Sequence, residues 1–265
     1  MSLDAPDRTV LADQAEQLLA AHHGGESLLL ANVWDVSSAR VIEAAGFRFV
    51  ATSSRAVAQV LGEADDDSSD PDVIFDWTTR IARAVSVPVT ADVEAGFGLA
   101  PAELVDRLLA AGVVGCNLED TDHHGDGVLV EADRQASYIA GVRAASEKAG
   151  VHIVVNARVD TFIRRVGDER AQLDEAVRRG RLYLEAGADC VYPIAVARKA
   201  DVASLVSSVP GPVNLLALRG GVSIAELAGL GVRRISLASG VFQLVVERLS
   251  EVADALVRGV GLDEL

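Results

Sequence analysis

"VPVTADVEAGFGLAPAELVDRLLAAGVVGCNLED", residues 87–120, is the stretch from which the fold can be read. It opens on a short β-rich apolar run, "VPVTAD" (87–92), and ends on another, "VVGCNL" (113–118). Between them "APAELVDRLLAAG" (100–112) has helical periodicity, with Pro101 near the first helical position and Gly112 at the stop. The flanking runs are apolar nearly throughout, as parallel strands covered on both faces must be.

The same unit recurs along the chain. Further strand candidates are "SLLLANV" (27–33), "FRFVAT" (47–52), "HIVVNA" (152–157), "DCVYP" (189–193), "PVNLLA" (212–217) and "VRRISL" (232–237). Helical patterns at 35–46, 173–187 and 223–231 also close on glycine, the signature of an αβ-loop. One more helix, about 9–22, precedes the first strand. Eight strands, each followed by a helix, predict a (β/α)8 barrel filling residues 1–265 as one domain. A doubly wound sheet is the rival, but "GFGLAP" breaks the GxGxxG fingerprint after its second glycine. The polar stretch "EADDDSSDPD" (63–72) reads as a mobile loop within the barrel.

Half of the residues are hydrophobic, enough for a sizeable core, while 39 acidic against 24 basic side chains leave a net charge of −15. Such a surface repels phosphate backbones and anionic lipid, which argues against nucleic acid and membranes as partners. An anionic substrate would need local positive charge or a cation. Cys116 and Cys190 lie inside apolar runs and read as buried and reduced. No apolar stretch reaches the roughly 18 residues of a membrane span, and no basic-then-apolar leader opens the sequence; a cytoplasmic chain is expected.

Catalytic groups of a barrel stand at the C-terminal ends of its strands. Those positions hold Thr52, Ser53, Ser54 and Arg55, then Asp92 and Glu94, then Asn117, Glu119 and Asp120, then Asn156, Arg158 and Asp160, and finally Asn214. A solvated strand end explains any one acid, but gathered carboxylates repel unless a cation is supplied. Oxygen donors without a Cys or His cluster favour Mg²⁺, or Mn²⁺, over Zn²⁺, and one direct carboxylate with others acting through water would suffice. Arg158 then offers a planar fork for a substrate carboxylate.

The residues resemble the isocitrate lyase/phosphoenolpyruvate mutase superfamily. The likeness rests on "NVWDVSSARVIEAAGF", "ATSS", "LGEAD", "ADVEAGFG", "GCNLEDTD", "VNARVDTF" and "YLEAGAD", in order, and spans about residues 25–245. It implies a barrel with a swapped eighth helix (the apolar segment at about 240–259), a dimer of dimers, and a Mg²⁺-dependent site for small 2-oxo or 2-hydroxy carboxylates. By position, Asp92 matches the principal metal ligand. Glu94 and Glu119 match further acids at the metal, and Asp65 one that approaches it through water. Ser53 and Ser54 match the backbone segment that holds the substrate's carboxylate and oxo oxygen, Arg158 the substrate arginine, and Asn214 a polar position near the substrate carboxylate.

Two features depart from the pattern. Glu94 replaces an aspartate, adding one methylene. The loop "EDTDHHGDGVLVEAD" after strand four carries neither the lyase cysteine motif nor the Lys and Asn of the mutase lid. The shared chemistry that remains is stabilisation of an enolate, which serves decarboxylation, retro-aldol cleavage or hydrolysis of a β-substituted pyruvate. The resulting expectation is a Mg²⁺-dependent lyase breaking a C–C bond in a small 2-oxo or 2-hydroxy dicarboxylate. Asp92, Glu119, Arg158 and His123 are its candidate catalytic residues, the last as a proton source alongside His124. Trp34 and Asp35 follow strand one and are candidates for the pocket wall, with core packing the alternative for Trp34. Phosphonopyruvate hydrolysis or phosphoenolpyruvate mutation, and a barrel that binds a 2-oxo acid without turnover, are the rivals. Arg55 either points away or narrows the site and selects a second carboxylate. His22, His23 and His152 read as structural, and Asp66 and Asp67 as part of a solvated acidic run.

Overall fold

A computed structural model describes residues 6–123, 125 and 128–265 of the protein. All eight expected strands form, in one parallel sheet ordered β6-β5-β4-β3-β2-β1-β8-β7. They are β1 (Leu28–Val33), β2 (Val50–Thr52), β3 (Val89–Asp92), β4 (Gly115–Glu119), β5 (Val154–Val159), β6 (Cys190–Pro193), β7 (Asn214–Leu216) and β8 (Arg234–Ser236). A bridge between Val191 and Val213, with Val191 N donating to Pro212 O at 3.0 Å, brings the two edges together. The result is a (β/α)8 barrel.

Helices cover the outside, and one covers an end. The helix α1 (Arg8–His23) buries Leu11, Ala15, Leu18 and His22, a stripe at helical spacing. Leu18 lies against Gly115, where an added Cβ would meet its Cδ2 at 2.8 Å, so the first position of β4 must stay bare. Gln14 reaches Ser86 O just before β3, which places α1 under the N-terminal ends of these strands. The opposite end is left for the loops. The helices α2 (Val36–Ala44), α3 (Ser54–Leu61), α4 (Pro71–Ala82), α5 (Pro101–Ala111), α6 (Ala132–Ala149), α7 (Glu169–Glu185), α8 (Lys199–Ser208) and α9 (Ile224–Gly229) follow in turn. The last, α10 (Gly240–Val257), buries only Ala255. Among the described residues no helix is long and apolar enough to cross a membrane.

Strands are shorter than their apolar runs because the run's first residues finish the preceding loop. At 47–49, for example, Phe47 N closes α2 by donating to Ile42 O, after Gly46 turns the chain at a φ of 95°. The acidic run also needs correction. Asp67 is 4% exposed, and its carboxylate accepts from Ala95 N and Phe97 N at 3.1 and 2.8 Å, pinning 63–70 onto the loop after β3. The following helix α4 starts on Pro71 with Asp70 as its cap.

Candidate active site

Parallel register decides which strand-end groups meet. Asp92 stands beside Asn117, and Glu119 beside Arg158. Side chains at alternate positions share a face, so Asn117 and Glu119 point into the barrel, while Asp120 turns outward.

Asp92 ends β3. Its Oδ2 accepts from Ser54 N at 3.1 Å and Ser54 Oγ at 2.9 Å, and its own N–H donates to Thr52 Oγ1. Its Oδ1 is buried and has no hydrogen-bond partner among the described residues. A carboxylate oxygen in that state costs on the order of 1–3 kcal/mol unless something positive reaches it. This is the atom to which a cation fits.

The other acids are committed elsewhere. Glu94 takes a left-handed φ of 49° and turns its carboxylate onto Asp67 N. Burial, with the charges of Asp65, Asp92 and Glu119 adding to it, pushes its pKa up to about 9. Glu119 is buried between Arg158 Nη1 and His123 Nε2. Burial raises its pKa against the opposing pull of Arg158 and His123. Burial would lower His123, but the bond to Glu119 outweighs it and the imidazole titrates above its usual value. Asp65 lines the cavity at its rim. Among the described residues, no three Asp, Glu, His or Cys side chains converge closely enough to hold an ion by themselves. A divalent ion here would take Asp92 Oδ1 and complete its shell with water or ligand oxygens, a habit of Mg²⁺.

Arg158 is less free than its position implies. Its Nε and Nη2 grip Asp160 at 2.7 and 2.8 Å, so that planar edge is occupied. Asp160 also accepts from Thr121 Oγ1 at 2.6 Å. Behind it, Asp120 accepts from Asp160 N (2.9 Å), Tyr183 OH (2.8 Å) and Arg179 Nη1 (3.0 Å). Burial and the neighbouring Asp160 charge push Asp120 up to about 6, opposed by Arg179. This sealed network fixes the orientation of Arg158 from behind.

The mouth opens into a cavity of about 970 Å³ that reaches Ser53, Ser54, Asp65, Asp92, Asn117 and Arg158. Its outer wall is apolar, from Ile194, Leu216, Leu218 and Leu244. A smaller cavity of about 390 Å³ adjoins it and holds Glu94, Glu119 and His123. Ser53 caps α3 through its hydroxyl, its N–H donating to Val33 O, so the backbone segment expected to hold substrate is partly engaged within the fold. Asn214 is fully buried and donates to Ser236 Oγ at 3.1 Å; Ser236, not Asn214, lines the cavity.

Trp34 and Asp35 are not brought to the cavity. The Trp34 ring packs edge-on against Phe242 at 5.1 Å, and Asp35 caps α2 by accepting from Ser38 N. The cap is needed there because the first turn of a helix has unsatisfied N–H groups. His124 lies outside the described residues. The reading of strand ends overlooked Asn32, Tyr192 and Ser236, which line the cavity from β1, β6 and β8. Their signal was a polar residue at an inward position of an otherwise apolar run. Cys116 and Cys190 are wholly buried and pushed up to about 12 by that burial, which keeps thiol chemistry away from the mouth.

The mouth of this parallel barrel thus gathers several acids, Arg158 and a buried Asp92 oxygen without a partner among the described residues, a donor set that fits a cation together with a small anion. The family model described as phosphoenolpyruvate phosphomutase matches residues 18–257. The chain belongs to this family, within the isocitrate lyase/phosphoenolpyruvate mutase superfamily. It is 29% identical to an uncharacterized protein of Mycobacterium tuberculosis, over 91% of this chain and 89% of that one. It is 29% identical to oxaloacetate decarboxylase 2 of Pseudomonas putida, over 70% of this chain and 61% of that one. The structure of a phosphonopyruvate hydrolase in complex with oxalate and Mg²⁺ superposes with a TM-score of 0.82 at 27% identity, covering 93% of this chain and 88% of that one.

Proposed function

We propose that the protein is a Mg²⁺-dependent lyase that breaks a C–C bond in a small 2-oxo or 2-hydroxy dicarboxylate through an enolate. The observation that carries this reading is Asp92, held by Ser54 through one carboxylate oxygen and left with the other buried and unpartnered at the mouth. Asp92 Oδ1 would hold a Mg²⁺, which would supply positive charge beside the 2-oxo group. The chain's own residues do the rest. Arg158, held by Asp160 through Nε and Nη2 and by Glu119 through Nη1, lines the cavity and positions the substrate carboxylate. His123 shares a proton-bearing contact with Glu119 and is placed to deliver a proton to the departing fragment. Decarboxylation needs little beyond the first of these, whereas retro-aldol cleavage needs a base to take the hydroxyl proton as well as an acid to protonate the enolate.

P–C bond hydrolysis is the second reading, favoured by the likeness to the phosphonopyruvate hydrolase. One assay separates them: oxaloacetate, 2-methylisocitrate, isocitrate and phosphonopyruvate are incubated with the protein, and pyruvate, glyoxylate and phosphate are followed with Mg²⁺ and with EDTA. Metal-dependent release of pyruvate or glyoxylate from oxaloacetate, 2-methylisocitrate or isocitrate is the expected result, whereas turnover of phosphonopyruvate alone, to pyruvate and phosphate, overturns C–C cleavage. Binding without product would make the barrel a 2-oxo acid receptor.

The assembly belongs to the same proposal. The α10 helix leaves Leu244, Val245, Leu249 and Val257 exposed, the last two at 64% and 89%. A helix so apolar on its outer side supports exchange of α10 between neighbouring barrels in a dimer of dimers. A monomer in light scattering at micromolar concentration would overturn it.

A further inference from the structure

Four arginines line the two cavities, and three of them are engaged. Arg158 grips Asp160 and Glu119, Arg219 pairs with Glu247 at 2.7 Å, and Arg164 donates through Nε to Thr121 Oγ1 at 3.2 Å. Arg55 is the exception. Its exposed side chain lines both cavities, yet no acid among the described residues comes within ion-pair distance of it. Asp65 and Arg55 act on each other only at longer range. Some exposed arginines elsewhere on the chain do find acids, as in Arg80–Asp76, Arg107–Glu103 and Arg170–Asp174. An unpaired guanidinium beside Asp92, Glu94 and Glu119 is therefore a positional fact of the fold: those acids are turned to Ser54, Asp67, and Arg158 with His123.

Arg55 is also tied to the head of the site. It follows Ser54 directly at the start of α3, so the turn that holds Asp92 also sets where the guanidinium emerges. A ligand whose head group sits between Asp92 and Arg158 extends either along the apolar wall or toward Arg55. A second carboxylate laid on the apolar wall would lose its hydration without a partner, a cost that forbids it. We propose that Arg55 recognises the distal carboxylate of the ligand and so selects diacids over monoacids. This rests on the reading of the site as one for 2-oxo acids held with Mg²⁺.

The test is calorimetric titration of the full chain with Mg²⁺, using oxalate, which mimics the head group alone, and 3,3-difluorooxaloacetate, which adds a distal carboxylate. Arg55→Ala should weaken the difluoro diacid about ten- to hundredfold, as expected for a lost charge-assisted bond, and leave oxalate within about twofold. Arg55→Lys should recover part of the loss, since it keeps the charge without the fork. Equal weakening of both ligands would mean that Arg55 only balances the acids around the ion, and would overturn the proposal. Unchanged binding of both would overturn it as well, with the reading of the site intact. A wild-type chain that binds neither ligand would sink that reading and this inference together.

Discussion

Two neighbouring residues, Glu119 and Asp120, lead into two different regions. Glu119 points into the mouth, where its partners are Arg158 and His123 and open cavity lies beside it. Asp120 points away into a sealed network with Arg179, Tyr183 and the Asp160 backbone, and is 0% exposed. Both carboxyls are pushed up by burial. What separates them is completeness. Behind β4 the buried charge has a partner at each oxygen, so the arrangement has one use, to hold its shape. At the mouth the acids are only partly compensated, and Asp92 keeps a buried oxygen that no described residue reaches with a hydrogen bond. Burial alone does not mark a site, and neither does an unfilled valence, which His22 and Arg234 also carry; Asp92 combines one with a place on the cavity wall.

The sharpest way to break this contrast is at Asp92. Asp92→Ala should abolish metal-dependent turnover, a loss on the order of a thousandfold or more, with the unfolding midpoint nearly unchanged. Full activity in that variant would remove the metal from the mouth. Asp120→Ala should act first on stability. Breaking a buried ion pair from one side costs about 3–5 kcal/mol, so calorimetry should show a midpoint lower by on the order of 10 °C. Lost activity without lost stability would place Asp120 in the chemistry instead.

A third test goes to the closed end of the barrel. His22, in the last turn of α1, is wholly buried, donates Nδ1–H to Leu18 O at 2.8 Å, and is pulled from 6.5 down to about 4, by burial first and then by Arg234. The folded chain thus binds fewer protons here than the unfolded one. The stability from neutral His22 is complete above pH 6.5 and is lost as pH falls toward 4. The gap in unfolding free energy between wild type and His22→Gln should narrow by on the order of 3 kcal/mol from pH 7 to 4. A constant gap would show that His22 does not titrate there. The smallest effect is expected at His123. His123→Gln should lower kcat about a hundredfold or less and leave the unfolding midpoint in place. An unchanged kcat would leave Glu119 without its proposed proton partner.

How much of this was legible beforehand varied with the range of the interaction. The barrel, the first helix, and the placing of Asp92, Glu119 and Arg158 at strand ends all followed from period, glycine stops and motif order. Asp35 was read as a candidate for the pocket wall, and local geometry made it the cap of α2 instead. Asp67 was misread, because a run of acids reads as solvated unless one knows that two N–H groups of the loop after β3 lie against it. Arg158 was correctly placed but its engagement with Asp160 was not foreseen, since two residues on one strand end share a face only in outline.

By itself the sequence determined the repeating unit and the side of the barrel on which polar strand ends collect. Both are set within one strand or helix turn, where the chain's own periodicity is the whole cause. Only the tertiary structure decided which oxygen is satisfied. Ser54 reaches Asp92 across 38 residues and Arg179 reaches Asp120 across 59. Such partnerships depend on where the closed sheet places distant strand ends, and no local pattern records them.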